Sequence, residues 1–453
     1  MIRSMFTGVS GIRAHQARID VIGNNIANVN TTAFKSGRAS FSSVLSQTMQ
    51  AATPAVPELD RGTRNPMQIG LGVNVASINR LMTQGAAQRT DSPLHMMIEG
   101  DGFFIVGDDV NGLFFTRAGD FVQDSDWNIT NPQGLILQGW QAPWQEGGPV
   151  RNEGVPEPII PGAVSGIQII PDMHSVDARA TGNILWSGNL WTQDGHSVIT
   201  REMNFRDSLG RSYSIDVQFR LTEDGWEIWR GRQVTRLSDG EIRTFIGEEE
   251  WTDTGVVLEF GADGFPIADT DSGLVPAWYF YMLTEEGSES TFGQIHETSP
   301  IPGQRSIRID FGSLSTQFSA SLTLNSTDLD GLEAGDLIGI TIGQDGIVTG
   351  SYSNGENFAL WQIPLASFNN QAGLESVSGN LFIQTANSGI FDGMGITPYE
   401  AGTELLAGML EMSNVDLGEQ FSQLITSQRG FQANARIITA SDEMVQTASG
   451  LLR

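Results

Sequence analysis

The sequence predicts a mixed, mainly β fold: nested, discontinuous β-rich domains with a long α-helix at each chain end, the two helices pairing like a coiled coil. Three observations carry that prediction. At both termini apolar residues recur in alternating steps of three and four, the repeat of a helix seam. Between the ends the period drops to two, as in strands that bury one face. Proline, glycine and an Asp-Gly pair punctuate this middle like turns.

At the N-terminus the steps run through Ile2, Met5, Val9, Ile12, Gln16, Ile19, Gly23 and Ile26. They predict a helix roughly 40 Å long at 1.5 Å per residue. It runs into "DVIGNNIANVNTTAFKSG", Asp20 to Gly37, which gathers Asn24, Asn25, Asn28 and Asn30. Asparagine competes for backbone hydrogen bonds inside a helix and suits its ends, so the run reads as a stop that fixes helix length. Small residues Gly8, Ser10, Gly11, Ala14 and Ala17 flank the stripe and allow close approach of another helix.

At the C-terminus Leu417, Phe421, Leu424, Gln428, Phe431, Ala435, Ile438, Asp442, Val445, Ser449 and Leu452 follow the same steps. Asp416 stands as N-cap, with Glu419 three residues on as in a capping box. Gln428, Asp442 and Ser449 interrupt the stripe and imply a crowded or partly wet seam. Long helices without tertiary support are marginal. Both ends are therefore expected to be disordered in a lone chain and to order on assembly.

In the middle, "YSIDVQFRL" places Tyr213, Ile215, Val217, Phe219 and Leu221 on one face. "QFSASLTLN" (317–325) and "DLIGITIGQDGIVTG" (336–350) read similarly, the latter turning at Asp345-Gly346. The Pro/Gly-rich run 142–162 reads as a domain connector. The expected organisation is terminal helices at 1–28 and 412–453, extended linkers at 29–69 and 400–411, a β-rich body at 70–146 and 325–399, and an inserted outer β domain at 147–324, open to division into two subdomains.

The 453 residues suffice for several cores. No window of about 18 apolar residues exists to span a membrane. The first residues lack the apolar core of a cleavable secretory signal. Cysteine is absent, which excludes disulfides, thiolate metal sites and cysteine nucleophiles. The net charge of −28 is uneven: residues 1–90 carry +6, residues 401–453 carry −3, and the middle carries −31. That argues against phosphate neutralisation and hence nucleic acid, and for a solvated, self-repelling surface.

Catalytic and metal patterns fail one by one. His15, His95, His174, His196 and His296 are scattered, with no HExxH. "DSDWNIT" from Asp124 begins like a calcium loop but has Ile129 at the glycine position and Leu135 at the bidentate glutamate position. "GLGVNV" at Gly70 lacks the third glycine of a dinucleotide loop, and no GxSxG elbow occurs. The chain reads as a non-enzyme with no cofactor and no metal.

A resemblance adds to this reading. "SGIRAHQARIDVIGNNIANVNTTAFKSGRASF" resembles the signature of bacterial flagellar axial proteins, which line rod, hook and hook–filament junction. Its core here is Asn24, Asn25, Ala27, Asn28, Asn30 and Thr31, followed by Phe34 and Lys35. The family usually has glycine before that aromatic, where this chain has Ala33; a positive φ would suit glycine. "MIEGDGFFIV", "LFFTRAGDFVQD" and "GLILQGWQA" resemble the first half of the family's body domain. "GIVTGSYSNGENFALWQIPLASF" resembles its returning half, and "LEMSNVDLGEQFSQLITSQRGFQANARIITASDEMVQTASGLLR" the shared C-terminal helix. The insertion 147–324 is similar to that of hook members and unlike the shorter rod members.

The resemblance implies a structural subunit of the hook, self-assembling into a curved tube that acts as a universal joint between rod and filament; a distal rod subunit is the alternative. It further implies a homopolymer, extracellular location in the hook, and type III flagellar export without a cleavable signal. Implied partners are the distal rod protein, the hook cap protein, the hook–filament junction protein and the export apparatus, with no nucleic acid and no membrane insertion. The terminal stripes, Ile2, Met5, Val9, Ile12, Ile19 and Ile26 with Leu417, Phe421, Leu424, Phe431, Ile438, Val445 and Leu452, would form the self-assembly seam of an inner tube.

Overall fold

The computed structural model describes residues 2–52, 63, 65–108, 112–145, 147–152, 155–190, 198–207, 209–223, 225–240, 242–244, 250–261, 263–267, 277–281, 306–316 and 322–450. Helix α1 spans Ile2–Ala27 and helix α2 Leu417–Gly450, and the two pack together. The asparagine run ends α1 as its chemistry requires. Asn28 Nδ2 donates to the Asn24 carbonyl at 2.9 Å and to Asn24 Oδ1 at 2.7 Å, and Thr31 Oγ1 donates to Asn28 Oδ1 at 3.2 Å. Side chains thus occupy groups that the last turn leaves without intrahelical partners. At the start of α2, Asp416 Oδ1 accepts from the backbone N–H of Gly418 (2.7 Å) and Glu419 (3.1 Å), as an N-cap does. Glu419 departs from the capping-box expectation: its Oε1 accepts from Gln423 Nε2, one turn on, at 2.7 Å.

The segment 29–69 is not the extended linker expected. Strand Gly37–Ser43 pairs antiparallel with Val73–Arg80, and Ser46–Gln50 pairs with Met67–Gly70. The base of this ribbon lies on α1, where Ser10 Oγ accepts from Val73 N at 3.3 Å and the His15 and Phe41 rings meet edge-on. Cross-strand pairs such as Ala39 with Ile78 and Phe41 with Val75 stabilise it. The segment 400–411 also pairs: Glu404–Ala407 with Met96–Glu99, and Met409–Glu411 with Ala87–Arg89.

The body is an antiparallel sheet of 13 strands among the described residues. Its central seam joins the two distant halves of the chain, Trp140 facing Gln362 and Gln141 facing Trp361. Strand Phe103–Asp108 is buried on both faces, with Phe104 and Val106 in one apolar cluster and Phe103 and Ile105 in another. That accounts for the unbroken apolar run "FFIV". The predicted hairpin at Asp345-Gly346 forms between Gly335–Ile342 and Ile347–Tyr352, Gly346 taking φ +79°.

A second core lies in residues 184–324. One sheet there orders Ala277–Tyr281, Ser306–Ser315, Asn183–Asn189 and Asn325–Asp328; another is built on Val198–Arg206, Ser212–Thr222 and Gly225–Arg236. Tyr213, Ile215, Val217 and Phe219 are buried in it, whereas Leu221, at the far strand end, is exposed. The stretch 142–162 does not lead out to this core. It forms two short hairpins and returns as Ser165–Gly166 to pair with Ile136–Gln141, after which Ile167, Ile169, Met173 and Val176 fill the body core. The body core thus runs past residue 147, as far as 176, because these apolar side chains have their burial site there. Residues 317–321 of the predicted strand 317–325 lie outside the described residues.

Candidate functional site

The helix pair closes through a row that differs from the predicted stripe. Ser4 Oγ meets Ser441 Oγ at 3.1 Å, Arg18 Nη2 donates to Gln423 Oε1 at 3.3 Å, and Asn25 Nδ2 donates to Gln420 Oε1 at 3.0 Å. Between these contacts the backbones come close. A Cβ on Gly8 would stand 3.0 Å from Ile438 Cγ1, one on Gly11 2.7 Å from Asn434 Oδ1, and one on Gly430 2.5 Å from His15 Nε2. Positions 4, 8, 11, 15, 18, 22 and 25 also step by four and three, so α1 carries two parallel stripes. The second one, small or polar except for buried Ile22, faces α2; Ala14 is buried nearby.

The predicted apolar stripe lies beside that contact. Met5, Leu417, Phe421, Phe431 and Val445 are exposed, Phe421 at 49%. Val9, Ile12, Ile19, Ile26 and Leu424 are half-buried, and Ile438, also half-buried, touches Gly8. Phe6 (65% exposed), Ile425, Ile437 and Met444 widen the apolar surface beyond what the spacing predicted. Leu452 and the side chain of Ile2 lie outside the description.

Two of the family-motif residues, Lys35 and Asn25, belong to a buried polar junction. Lys35, the only lysine of the chain, is 1% exposed; its Nζ lies 2.7 Å from Glu411 Oε1 and donates to the Thr83 carbonyl at 2.8 Å. Glu411, wholly buried, accepts a second bond from Gly85 N at 2.8 Å and faces Arg117 Nη1 at 3.8 Å. Arg117 is equally enclosed, with its guanidinium 5.4 Å from the Phe103 ring centroid and 3.9 Å from exposed Asp101. Burial pushes the Lys35 ammonium below its ordinary pKa, and the Glu411 carboxylate opposes that shift. Two cations about one fully buried carboxylate make the site intolerant of losing the anion.

Backbone bonds extend the junction. Ala33, at φ +55°, donates its N–H to the Glu411 carbonyl at 2.7 Å, so alanine occupies the left-handed conformation for which glycine is the easier residue. Asn25 brackets Gly37, donating to its carbonyl and accepting from its N–H at 2.9 and 2.8 Å. Asn414 accepts from Ser36 N and donates to the Leu81 carbonyl, both at 2.8 Å. Phe34 is buried, Asn24, Ala27 and Asn30 face solvent, and Asn28 and Thr31 hold the helix end. Glu411, Asn414, Arg117 and Gln420 were not singled out from sequence; the signal available was that Lys35 is the lone lysine of the chain, which needs a buried carboxylate if it is itself buried.

Among the described residues no His/Cys/Asp/Glu cluster has metal-site geometry, and no described helix is long and apolar enough to cross a membrane.

Three stretches of the chain, and its whole length, are similar in sequence to known proteins. Residues 5–35 match the family described as flagella basal body rod protein, 97–186 the flagellar hook protein FlgE/F/G D1 domain, and 406–451 the flagellar basal body rod FlgEFG protein C-terminal region. The flagellar hook protein FlgE of Treponema pallidum is 34% identical over 475 aligned residues covering all of both chains. That of Borreliella burgdorferi is 34% identical with 98% of each chain covered, and that of Escherichia coli is 29% identical with 98% of each covered. A crystal structure of Helicobacter pylori flagellar hook protein FlgE2 aligns at TM-score 0.49 and 12% identity, over 72% of this chain and all of that one.

Proposed function

The chain belongs to the flagellar hook protein family and is a structural subunit of the hook, and from that premise we propose how its parts divide the work of a torque-transmitting joint. The α1–α2 pair is the inner-tube element. Its own contact is small and hydrogen-bonded, which leaves the apolar stripe Met5, Val9, Ile12, Ile19, Ile26, Leu417, Phe421, Phe431 and Val445 to be covered by copies of the same pair. This stripe, half-buried at Val9, Ile12, Ile19 and Ile26 and exposed at Met5, Leu417, Phe421, Phe431 and Val445, is the observation that carries the reading. A large apolar face on a marginal helix pair calls for burial, and a polymer supplies it. The Lys35–Glu411 junction then ties the helix pair to the body, so that twist imposed on one reaches the other.

The proposed domain limits follow the cores: helices 1–28 and 412–453, a body ending near 176 and resuming near 332, and an outer lobe between. Export by the flagellar type III route without a cleavable signal, and contact with distal rod, hook cap and hook–filament junction proteins, come with the family reading. So does the absence of catalysis. Electron microscopy of the polymerised chain tests the assembly: a short curved tube with the helices innermost is expected. A straight rigid tube favours the distal rod alternative, and a monomer at every concentration overturns the seam.

A further inference from the structure

The body and the outer lobe are joined by two strands of chain, a connection for which relative motion is the default. The neck is nevertheless heavily cross-linked by hydrogen bonds. Its strands pair at Arg179 and Leu332, each N–H donating to the other's carbonyl at 2.8 and 2.9 Å. Asp330 Oδ1 accepts from the N–H of Gly182 and Asn183 at 2.7 and 2.9 Å, and its Oδ2 accepts from Asn183 Nδ2 at 3.2 Å. Asp328 Oδ1 accepts from Gly331 N at 2.8 Å, while its Oδ2 accepts from Thr181 Oγ1 at 2.7 Å. Into this frame the outer lobe sends Arg206. Its Nη1 donates to Asp328 Oδ2 at 3.3 Å, its Nε to Glu333 Oε1 at 3.4 Å, and its backbone N–H to Thr181 Oγ1 at 2.8 Å. Ser212 Oγ holds the same Glu333 oxygen at 2.8 Å, and Asn354 Nδ2, from a turn of the body sheet, donates to the Glu333 carbonyl at 2.8 Å. Glycine is required where the strands touch: a Cβ on Gly331 would collide with Asp328 and Thr181.

We propose that this neck is a clamp rather than a free hinge, and that Arg206, anchored on Asp328 at the edge of the lobe's own sheet and reaching Glu333 where the body resumes, is the positioning residue that sets the angle between the outer lobe and the body. Among the described residues, Arg206 alone reaches both carboxylates from the lobe side. Its planar fork presents donors at a fixed separation, whereas a lysine is a point charge on a flexible stem.

The cysteine-free sequence allows a direct test on the full, unpolymerised chain. Single cysteines at exposed Val377 of the body and exposed Leu221 of the lobe, spin-labelled, report the distance across the neck by pulsed electron resonance. A narrow distribution is expected for the parent, a broadened or shifted one for Arg206→Ala, and incomplete recovery for Arg206→Lys. Tryptophan-detected melting of the lobe should stay unchanged in Arg206→Ala, which separates positioning from folding. Should Arg206→Ala fail to fold, Glu333→Gln, at a half-exposed side chain, is expected to broaden the distribution on its own. A broad distribution in the parent, or one unchanged in Arg206→Ala and Glu333→Gln, overturns the clamp.

Discussion

Replacing Lys35 by methionine probes the junction that joins the two ends of the chain to the body. Lys35 and Glu411 are 376 positions apart in sequence and 2.7 Å apart in space. Removing one partner of a buried ion pair costs about 3–5 kcal/mol, because the other charge stays desolvated. In Lys35→Met the Glu411 carboxylate keeps Gly85 N at 2.8 Å and Arg117 at 3.8 Å, so the lower end, about 3 kcal/mol, applies. At 1.4 kcal/mol per decade, local opening of the junction should become on the order of 100-fold more frequent. The amides of Ala33, Ser36 and Gly37, bonded to Glu411, Asn414 and Asn25, report that opening by hydrogen exchange, without requiring the whole chain to unfold in one step. Glu411→Gln should lower their protection further, since it leaves Lys35 and Arg117 buried against a neutral amide. Protection unchanged within about twofold in both variants would refute the reasoning, as would a smaller effect in Glu411→Gln than in Lys35→Met.

Other perturbations address the remaining parts. Ile19→Asp or Phe431→Asp places a charge in the apolar stripe and should abolish tube formation while leaving lobe tryptophan fluorescence native; sedimentation that still finds full-length tubes would remove the stripe from the assembly surface. Gly11→Leu must displace Asn434 and with it the α1–α2 contact, so circular dichroism should show a loss of helix at constant strand signal. Excising 180–331, which lies inside the Arg179–Leu332 pair that closes the neck, should leave a folded body that still polymerises, with altered curvature under the electron microscope. A body that melts on excision would place the core border elsewhere. In the outer lobe, burial alone would raise the Asp207 pKa, but the hydrogen bonds from Arg211 and from Leu209 N outweigh it and hold it below the usual carboxylate range. Its contribution is therefore present above the unfolded value near 3.8 and is lost as pH falls through the lower folded value. Lobe melting should drop as the pH falls below the unfolded value near 3.8 in the parent, and less steeply in Asp207→Asn.

The end helices were legible because a three-four repeat sustained over many turns fits the pitch of a helix and not the pleat of a strand. The asparagine stop was legible because its residues cannot serve a helix interior. The face by which the helices pair was not legible. Gly8, Gly11, Asn434 and Ser441 form it, and a row of small and polar residues leaves no hydropathy signal beside the stronger apolar stripe. The ribbon 37–80 escaped for a related reason: serine and glutamine dominate the outer half, and its register is fixed by packing on α1 at Ser10 and His15. The border at 147 came from reading proline and glycine as a departure, whereas the apolar positions 167, 169, 173 and 176 are what decide where the chain goes. Lys35 stood out, but nothing local in sequence could tie it to Glu411.

The two stripes of α1 also suggest why the polar one faces inward within the chain. Pairing through glycine and single hydrogen bonds gains little net free energy, about 1 kcal/mol per bond. The helix pair is therefore weak alone, and the exposed Met5, Phe6, Phe421, Ile425 and Phe431 give it no internal support. Covering each in a neighbour adds on the order of 1 kcal/mol for the part still exposed. Had the stripes been exchanged, each subunit would satisfy itself and have no reason to stack. With the apolar stripe outward, the ends reach full stability only in a column of copies, and amide protection along α1 and α2 should rise sharply between the dilute chain and the tube. Helices equally protected in both states would mean that the inner polar row suffices on its own.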